Sequence, residues 1–195
     1  MNRREAVTRL MAITGGVVIG GEFLMSGCAR LDKRRKTEFT AADIALLDEI
    51  GETILPTTAD SPGAKAAGVG AFMAKVVNDC YDDDTHIAFE RGLAAVDKAS
   101  RKRHDKPFME STPAERTALL NEIDREAREH ARSRKRDEDH HYFRLMRELT
   151  LVAYVSSEIG ATKALRYVES PGAYRGDEPY AKGDRAWFNP SRRLV

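Results

Sequence analysis

Five histidines and the carboxylates near them have the greatest potential for chemistry in this sequence. Glu138 and His141 have the spacing with which di-iron helix bundles place two ligands on one helical face. That centre needs a second such pair and two further glutamates, and the nearest second pair, Asp83 and His86, has a shorter carboxylate. Three histidines lie in polar stretches with no second histidine four residues later: His86, His104 and His130. We therefore expect solvated histidines, and a metal-binding helical-bundle enzyme is the weaker alternative.

No other combination of residues predicts catalysis. The sequence has no Cys-x-x-Cys-His for covalent haem, no Gly-x-Ser-x-Gly for a hydrolase and no glycine-rich dinucleotide loop. Ser156, Ser157 and Glu158 stand together without a nearby histidine, so we expect a hydrogen-bonded group at a helix end. We predict no catalytic residue, no metal site and no cofactor in this chain.

The composition argues against several classes of protein. Of the 195 residues, 32 are Lys or Arg and 31 are Asp or Glu, whereas a dedicated nucleic-acid-binding protein carries a basic excess. Two cysteines cannot build a disulfide framework, a four-thiolate zinc site or an iron–sulfur cluster. The charged fraction of 32% favours a helix-rich protein with long solvated faces, since Lys, Arg and Glu are good helix formers.

The elements that must position these residues are amphipathic helices. Apolar residues recur at helical spacing along the chain, and no alternating pattern of useful length predicts a strand. The predicted helices cover about 40–55, 69–80, 82–100, 113–136, 139–158 and 161–167. We predict a single compact all-α domain of five to six helices at residues 39–190, with an irregular C-terminal tail and the fifth, most apolar helix at its centre.

Local signals support three of the helix starts. Thr40 and Asp43 have the spacing of a capping box, as do Thr112 and Glu115, where Pro113 also occupies the first helical position. The run 82–84 consists of three aspartates, which cap exposed amides and favour the positive end of a helix dipole. Cys80 falls on the apolar stripe of the second helix, so we expect it to be buried.

Residues 1–27 are typical of an export signal. Arg3 and Arg4 precede a stretch from Leu10 to Gly21 that has 12 residues without a charge, far short of the ~20 needed to cross a bilayer. Its four glycines make it only mildly hydrophobic, and with the arginine pair it resembles a twin-arginine signal, which is read by the translocase that exports folded proteins. An ordinary secretory signal is the alternative.

The segment ends in Ser26-Gly27-Cys28, which resembles a bacterial lipobox. We expect Cys28 to become a lipidated N-terminus that anchors the protein to the membrane; the alternatives are simple cleavage near Gly27 and an uncleaved anchor. Cleavage before Cys28 removes three basic and two acidic residues and leaves 29 of each. Residues 28–38 are then a flexible tether, whose basic run 33–36 suits anionic lipid headgroups.

A set of ordered motifs resembles one family. The sequences Glu-Leu-Thr-Leu-Val-Ala-Tyr, Ser-Glu-Ile-Gly, Ala-Leu-Arg-Tyr and Pro-Gly-Ala-Tyr-Arg-Gly follow one another at 148–154, 157–160, 164–167 and 171–176. Together with residues 54–58, 62–69 and 185–187, they are similar to subunit 3, the small subunit, of gluconate 2-dehydrogenase. The similarity spans about residues 1–188. Asp177 departs from it, because a Cys is expected after the Tyr-x-Gly.

The resemblance implies a non-catalytic accessory subunit. In that family a separate large subunit carries FAD, and a cytochrome c subunit with haem c passes electrons on. The small subunit holds no cofactor, supports the flavoprotein and carries it through twin-arginine export. By resemblance this chain is periplasm-facing and a partner of an FAD-dependent dehydrogenase of the gluconate, sugar or alcohol type. The resemblance leaves open whether a cytochrome joins the complex.

Aromatic residues near the C-terminus are candidates for contact with such a partner, because aromatic side chains anchor interfaces. These candidates are Tyr167, Tyr174, Tyr180, Trp187 and Phe188. The alternative is that the tail wraps over the core of its own domain. A free-standing helical lipoprotein with a structural role is the competing interpretation of the whole chain.

Overall fold

The computed structural model describes residues 37–135, 140–169, 172–173 and 176–188. The helices within them are α1 (Ala41–Ile54), α2 (Val69–Cys80), α3 (Asp83–His104), α4 (Pro113–Ser133) and α5 (Tyr142–Ser156). Short 3₁₀ turns cover Lys65–Ala67 and Phe108–Glu110, and a π-helix covers Gly160–Ala164. The strands β1 (Arg166–Tyr167) and β2 (Trp187–Phe188) form a two-residue parallel pair. The predicted all-α fold is confirmed.

Three of the helices begin where the capping signals predict. Thr40 Oγ1 accepts from the backbone N–H of Asp43 at 3.2 Å, and the Asp43 carboxylate accepts from the backbone of Thr40 at 2.9 Å. Thr112 and Glu115 form the same reciprocal pair at the start of α4. At α3, Asp82 rather than a later aspartate is the cap, and its carboxylate accepts from Thr85 N at 2.7 Å. Each cap satisfies amides that the helix leaves without a partner.

Two helix ends differ from the prediction. α3 continues to His104, four residues beyond the predicted end, and stops at Asp105, which adopts a left-handed conformation with φ of 58°. The basic residues at 101–104 do not disrupt the helix, because positive charge is favourable at a helix C-terminus. α4 ends at Ser133 rather than at 136. The sixth predicted helix is the π-helix, and its expected last residues belong to β1.

The predicted central position of the fifth helix is confirmed, since α5 packs against all four other helices. The largest side chains of the core that are almost fully buried include Leu47, Ile50, Met73, Phe89, Phe108, Phe143 and Met146. α1 and α2 approach closely through two glycines: a Cβ on Gly51 would lie 2.5 Å from Val69, and one on Gly70 would overlap the carbonyl oxygen of Ile44.

One carboxylate organises the loop between α1 and α2. Glu52 accepts from the backbone N–H and the hydroxyl of Thr57 at 2.9 and 2.8 Å, and from the backbone N–H of Lys65 at 2.9 Å. Partial burial raises the pKa of Glu52, but these hydrogen bonds outweigh it and hold the pKa below its usual value. The loop is also tied to α5, because the Tyr154 hydroxyl donates to the carbonyl of Pro62 at 2.5 Å.

In the described part of the chain, no helix is both long and apolar enough to cross a membrane.

Candidate partner-binding surfaces

The C-terminal tail closes on itself through β1 and β2. Arg166 N donates to the carbonyl of Ala186 at 2.8 Å, and Val168 N donates to that of Phe188 at 3.2 Å. The Arg166 guanidinium lies 3.1 Å from the carboxylate of Asp184 and 5.2 Å from the ring centroid of Trp187. The ladder and this side-chain stack therefore hold the two ends of the tail together.

The aromatic residues of this tail lie mostly at the surface. Tyr180 is 78% exposed, Trp187 55% and Tyr167 44%, while Phe188 is half-buried with its ring centroid 6.3 Å from that of Tyr167. None of these four side chains belongs to the buried core of the helices. Exposed aromatic rings of this kind are available to a partner.

Several residues singled out from the sequence lie outside the described residues. They are Arg3, Arg4, Cys28, Tyr174 and Glu138. His141, the proposed companion of Glu138, is the N-cap of α5, where its Nδ1 accepts from the backbone N–H of Phe143 at 3.3 Å. Within the ranges that the structure describes, no three His, Cys, Asp or Glu side chains are grouped as ligands of a metal ion.

The prediction of a solvated His86 is wrong. Its side chain is fully buried beside Phe39, with ring centroids 5.1 Å apart, and its Nε2 lies 2.8 Å from Asn78 Oδ1. The polar sequence around His86 did not reveal this burial, because the side of α3 that faces the core is determined by its packing against α2, which the local sequence does not show. His104 is also partly enclosed, with a side chain 14% exposed and 3.9 Å from Glu115.

The prediction of a buried Cys80 is wrong as well. Cys80 is the last residue of α2, and its thiol is exposed. The backbone leaves the helix at Tyr81, which packs partly against the core in its place. The buried stripe of α2 therefore ends at Val77, although the helix continues to Cys80 as predicted. The hydrogen-bonded helix end at Ser157 is confirmed, since its Oγ accepts from Gly160 N at 2.9 Å.

A cleft of about 490 Å³ opens between the N-terminal ends of α3 and α5. Its apolar lining is formed by Ala88, Phe89, Leu145 and the rings of Tyr81 and Tyr142. Its polar lining is formed by Asp82, Asp84, Thr85, His140, His141, Arg144 and Glu148. The sequence did not predict this cleft, because its two walls are about 60 residues apart along the chain.

Four side chains that line the cleft have pKa values shifted from their usual range. Desolvation and the nearby Arg144 lower the pKa of His140, and desolvation and His130 lower that of His141. Burial raises the pKa of Tyr142 to about 12. The backbone hydrogen bond from Thr85 lowers the pKa of Asp82. At neutral pH both histidines are therefore uncharged and Asp82 carries a full negative charge.

α5 also has a partly exposed, mostly apolar face next to this cleft. Leu145, Glu148, Leu151, Val152 and Val155 recur at three- and four-residue spacing, and we call this set the outer face of α5. Leu151 is 43% exposed and Val152 is 40% exposed, whereas the opposite side of the helix is buried. The sequence carried a partial signal, because residues 149–155 of α5 include no charged side chain and so have more apolar surface than one core contact can cover.

Together the helical body and its exposed apolar residues describe a small protein with surface suited to binding a partner. The chain matches the family described as gluconate 2-dehydrogenase subunit 3 over residues 41–172. It therefore belongs to that family, as the motifs between Glu148 and Gly176 predicted. A comparison with curated proteins and another with solved structures found no match.

Proposed function

We propose that this chain is a non-catalytic accessory subunit of a membrane-associated, periplasm-facing FAD-dependent dehydrogenase that oxidises gluconate or a related sugar or alcohol. The observation that carries the proposal is the family match, which begins at the first residue of α1 and includes all five described helices and β1. The FAD belongs to a large partner subunit, and haem c to a cytochrome where one joins the complex.

The role proposed for the chain is to stabilise the flavoprotein. The support for this role is the amount of apolar side chain left at the surface, on the outer face of α5 and in the tail at Tyr167, Tyr180 and Trp187. Covering such side chains with a second protein removes apolar area from water and stabilises both partners.

The second proposed role is export. The pair Arg3-Arg4 before an uncharged stretch supports recognition by the twin-arginine translocase, and Cys28 supports attachment to the membrane by a lipid. A partner without its own signal would cross the membrane folded and bound to this chain.

Affinity purification of the tagged full-length chain from its native host tests the proposal. We expect an FAD-containing dehydrogenase to co-purify, identified by flavin fluorescence and by mass spectrometry. Deletion of the chain is expected to leave that dehydrogenase in the cytoplasm, and Arg3→Lys with Arg4→Lys to do the same. A chain that elutes alone, together with normal export of the dehydrogenase after deletion, would instead favour a free-standing structural lipoprotein.

A further inference from the structure

We infer that the flavoprotein partner docks on the outer face of α5 through a segment that presents a Lys or Arg side chain beside aliphatic residues. The basic side chain enters the cleft between α3 and α5, and the aliphatic residues cover Leu151 and Val152. The inference rests on the proposed function for the identity of the partner, and it adds where the partner binds and by what chemistry.

The apolar part of the surface comes from α5. Leu151 and Val152 expose 43% and 40% of their area on the most central helix of the domain, where the side chains on the other side are buried. Val155 continues the stripe and is half-buried. A partner that covers these side chains gains roughly 25 cal/mol for each Å² of apolar area removed from water.

The cleft extends this stripe at the N-terminal end of α5, because Leu145 and Glu148 belong to both. Its floor is apolar and includes Phe89, which is 1% exposed, and Leu145. A Lys or Arg side chain suits such a site, since its aliphatic stem packs on apolar surface while the charged head reaches a polar rim.

The rim of the cleft carries a net negative charge and therefore favours a basic side chain. Three carboxylates line the cleft, those of Asp82, Asp84 and Glu148, against the single guanidinium of Arg144. Arg144 is already paired with Glu148 at 2.7 Å, so the two aspartates at the start of α3 set the sign of the charge. An acidic rim attracts a cation and repels an acidic segment.

The position of this surface in the chain favours it over the tail. α5 and the cleft lie within residues 41–172, the part that matches the family, whereas Tyr180, Trp187 and Phe188 lie beyond it. A docking surface that family members share must be built from the shared part of the chain. Tyr167 also lies within that part, but its neighbours in the tail do not, whereas α5 and the cleft lie within it as a whole. We therefore assign the principal contact to α5.

The test is to purify the tagged full-length chain from its native host and to measure the ratio of flavin to chain in the eluate for a set of variants. Leu151→Asp and Val152→Asp each place a charge in the apolar stripe, and we expect each to lower the ratio at least tenfold. Met109→Asp is the matched control, because Met109 is equally exposed, at 43%, and lies beyond the C-terminal end of α3, far from the cleft. It is expected to retain the wild-type ratio.

The charge of the cleft is tested by washing the immobilised complex at increasing salt concentration. Asp84→Asn is expected to lower the ratio about threefold at low salt and to reduce its dependence on salt, since an exposed charge pair is screened by ions. Asp83→Asn is the matched control, because Asp83 is in the same first turn of α3 but does not line the cleft. Circular dichroism of each variant verifies that the helices are formed.

The outcomes separate the docking surface from the function itself. If wild-type chain retains the flavoprotein and the α5 variants retain it equally, the docking surface is wrong while the accessory role stands. Loss of the flavoprotein in Trp187→Ala but not in Val152→Asp would move the principal contact to the tail. If Val152→Asp disrupts only pairing with a second copy of this chain, the assigned occupant is wrong. If wild-type chain brings down no flavoprotein, the proposed function fails and the inference fails with it.

Discussion

Gly160 determines how the chain leaves α5, because there is no space for a side chain at this position. The residue begins the π-helix Gly160–Ala164, and Ser157 Oγ accepts from its backbone N–H at 2.9 Å. A Cβ at this position would overlap the carbonyl oxygen of Tyr154. That oxygen also accepts from the Ser157 hydroxyl at 2.7 Å, so it cannot move aside without breaking the helix end.

We predict that Gly160→Ala destabilises the domain by about 2 kcal/mol, the usual cost of forcing atoms into a packed site. Urea unfolding followed by circular dichroism measures the change. Lys163→Ala, in the same turn but exposed, is the control and should stay within about 0.5 kcal/mol of wild type. Equal stability of Gly160→Ala and wild type would show that the turn relaxes in a way the packing does not suggest.

The capping carboxylate of Glu115 makes the stability of the domain depend on pH. Its carboxylate accepts from Lys106 and from the backbone of Thr112, and these bonds lower its pKa from 4.5 to about 2. Because the pKa is lower in the folded protein, the stabilisation is complete above pH 4.5 and is lost as the pH falls towards 2.

We predict that Glu115→Gln flattens the decline of stability between pH 4.5 and 2, since glutamine keeps the capping bond but cannot titrate. Thermal unfolding at a series of pH values provides the measurement. Glu129→Gln, an exposed residue in the last turns of the same helix, is the control and should leave the acid decline unchanged. An unchanged slope in Glu115→Gln would mean that other carboxylates cause the decline.

Among the elements, α1 and α4 are joined by an enclosed ion pair in addition to the apolar core that they share. Arg116 on α4 binds Glu49 on α1, and their side chains are 12% and 15% exposed. The same guanidinium donates to the carbonyls of Phe108 at 3.0 Å and Met109 at 2.6 Å, and it lies 5.5 Å from the ring centroid of Phe108. One side chain thus joins two helices and the 3₁₀ turn between α3 and α4.

We predict that Arg116→Leu costs about 2 kcal/mol, because the enclosed Glu49 carboxylate keeps only Lys65 as a cationic partner and the Met109 carbonyl loses its side-chain donor. A double-mutant cycle with Glu49→Gln, measured by urea unfolding, isolates the energy of the pair. Lys75→Ala removes an exposed pair with Asp79 on α2 and is expected to have no measurable effect. Additive effects of Arg116→Leu and Glu49→Gln would show that the pair itself contributes nothing.

The elements also show what the sequence could predict. Capping residues and apolar spacing located the starts of α1, α3 and α4 and the central role of α5, because these signals act over three or four neighbouring residues. The ends of the helices were harder to predict. At His104, for example, the basic residues that are favourable in the last turn of a helix are also typical of a solvated loop.

The surfaces proposed for binding could not be predicted from the sequence, for a different reason. The burial of His86 and the cleft both arise where separate helices meet, and the residues involved do not reveal their neighbours across the fold. The tail candidates were chosen for their aromatic rings, whereas Leu151 and Val152 were not singled out, because a pattern of apolar residues does not show which side of a central helix is covered.

The whole molecule combines the helical body with a proposed anchor at Cys28. A diacylglyceryl group would attach the protein stably, since two acyl chains bind a membrane far more tightly than one, and the basic run 33–36 would add attraction to anionic headgroups. With the signal removed, the 29 basic and 29 acidic residues of the mature chain balance, so we expect the lipid to dominate the attachment.

We predict that Cys28→Ser moves the chain from the membrane pellet to the soluble fraction of fractionated native cells. Replacing residues 33–36 with glutamine should release only a minor share, and more at high salt, because electrostatic attraction supplements the lipid. Cys80→Ser removes the other cysteine, whose thiol is exposed, and is the matched control that should stay in the pellet. Intact mass spectrometry of the wild-type chain should show the diacylglyceryl group on an N-terminal cysteine. A Cys28→Ser chain that remains in the pellet at the wild-type share would mean that an uncleaved signal or a partner subunit, rather than the lipid, holds the complex at the membrane.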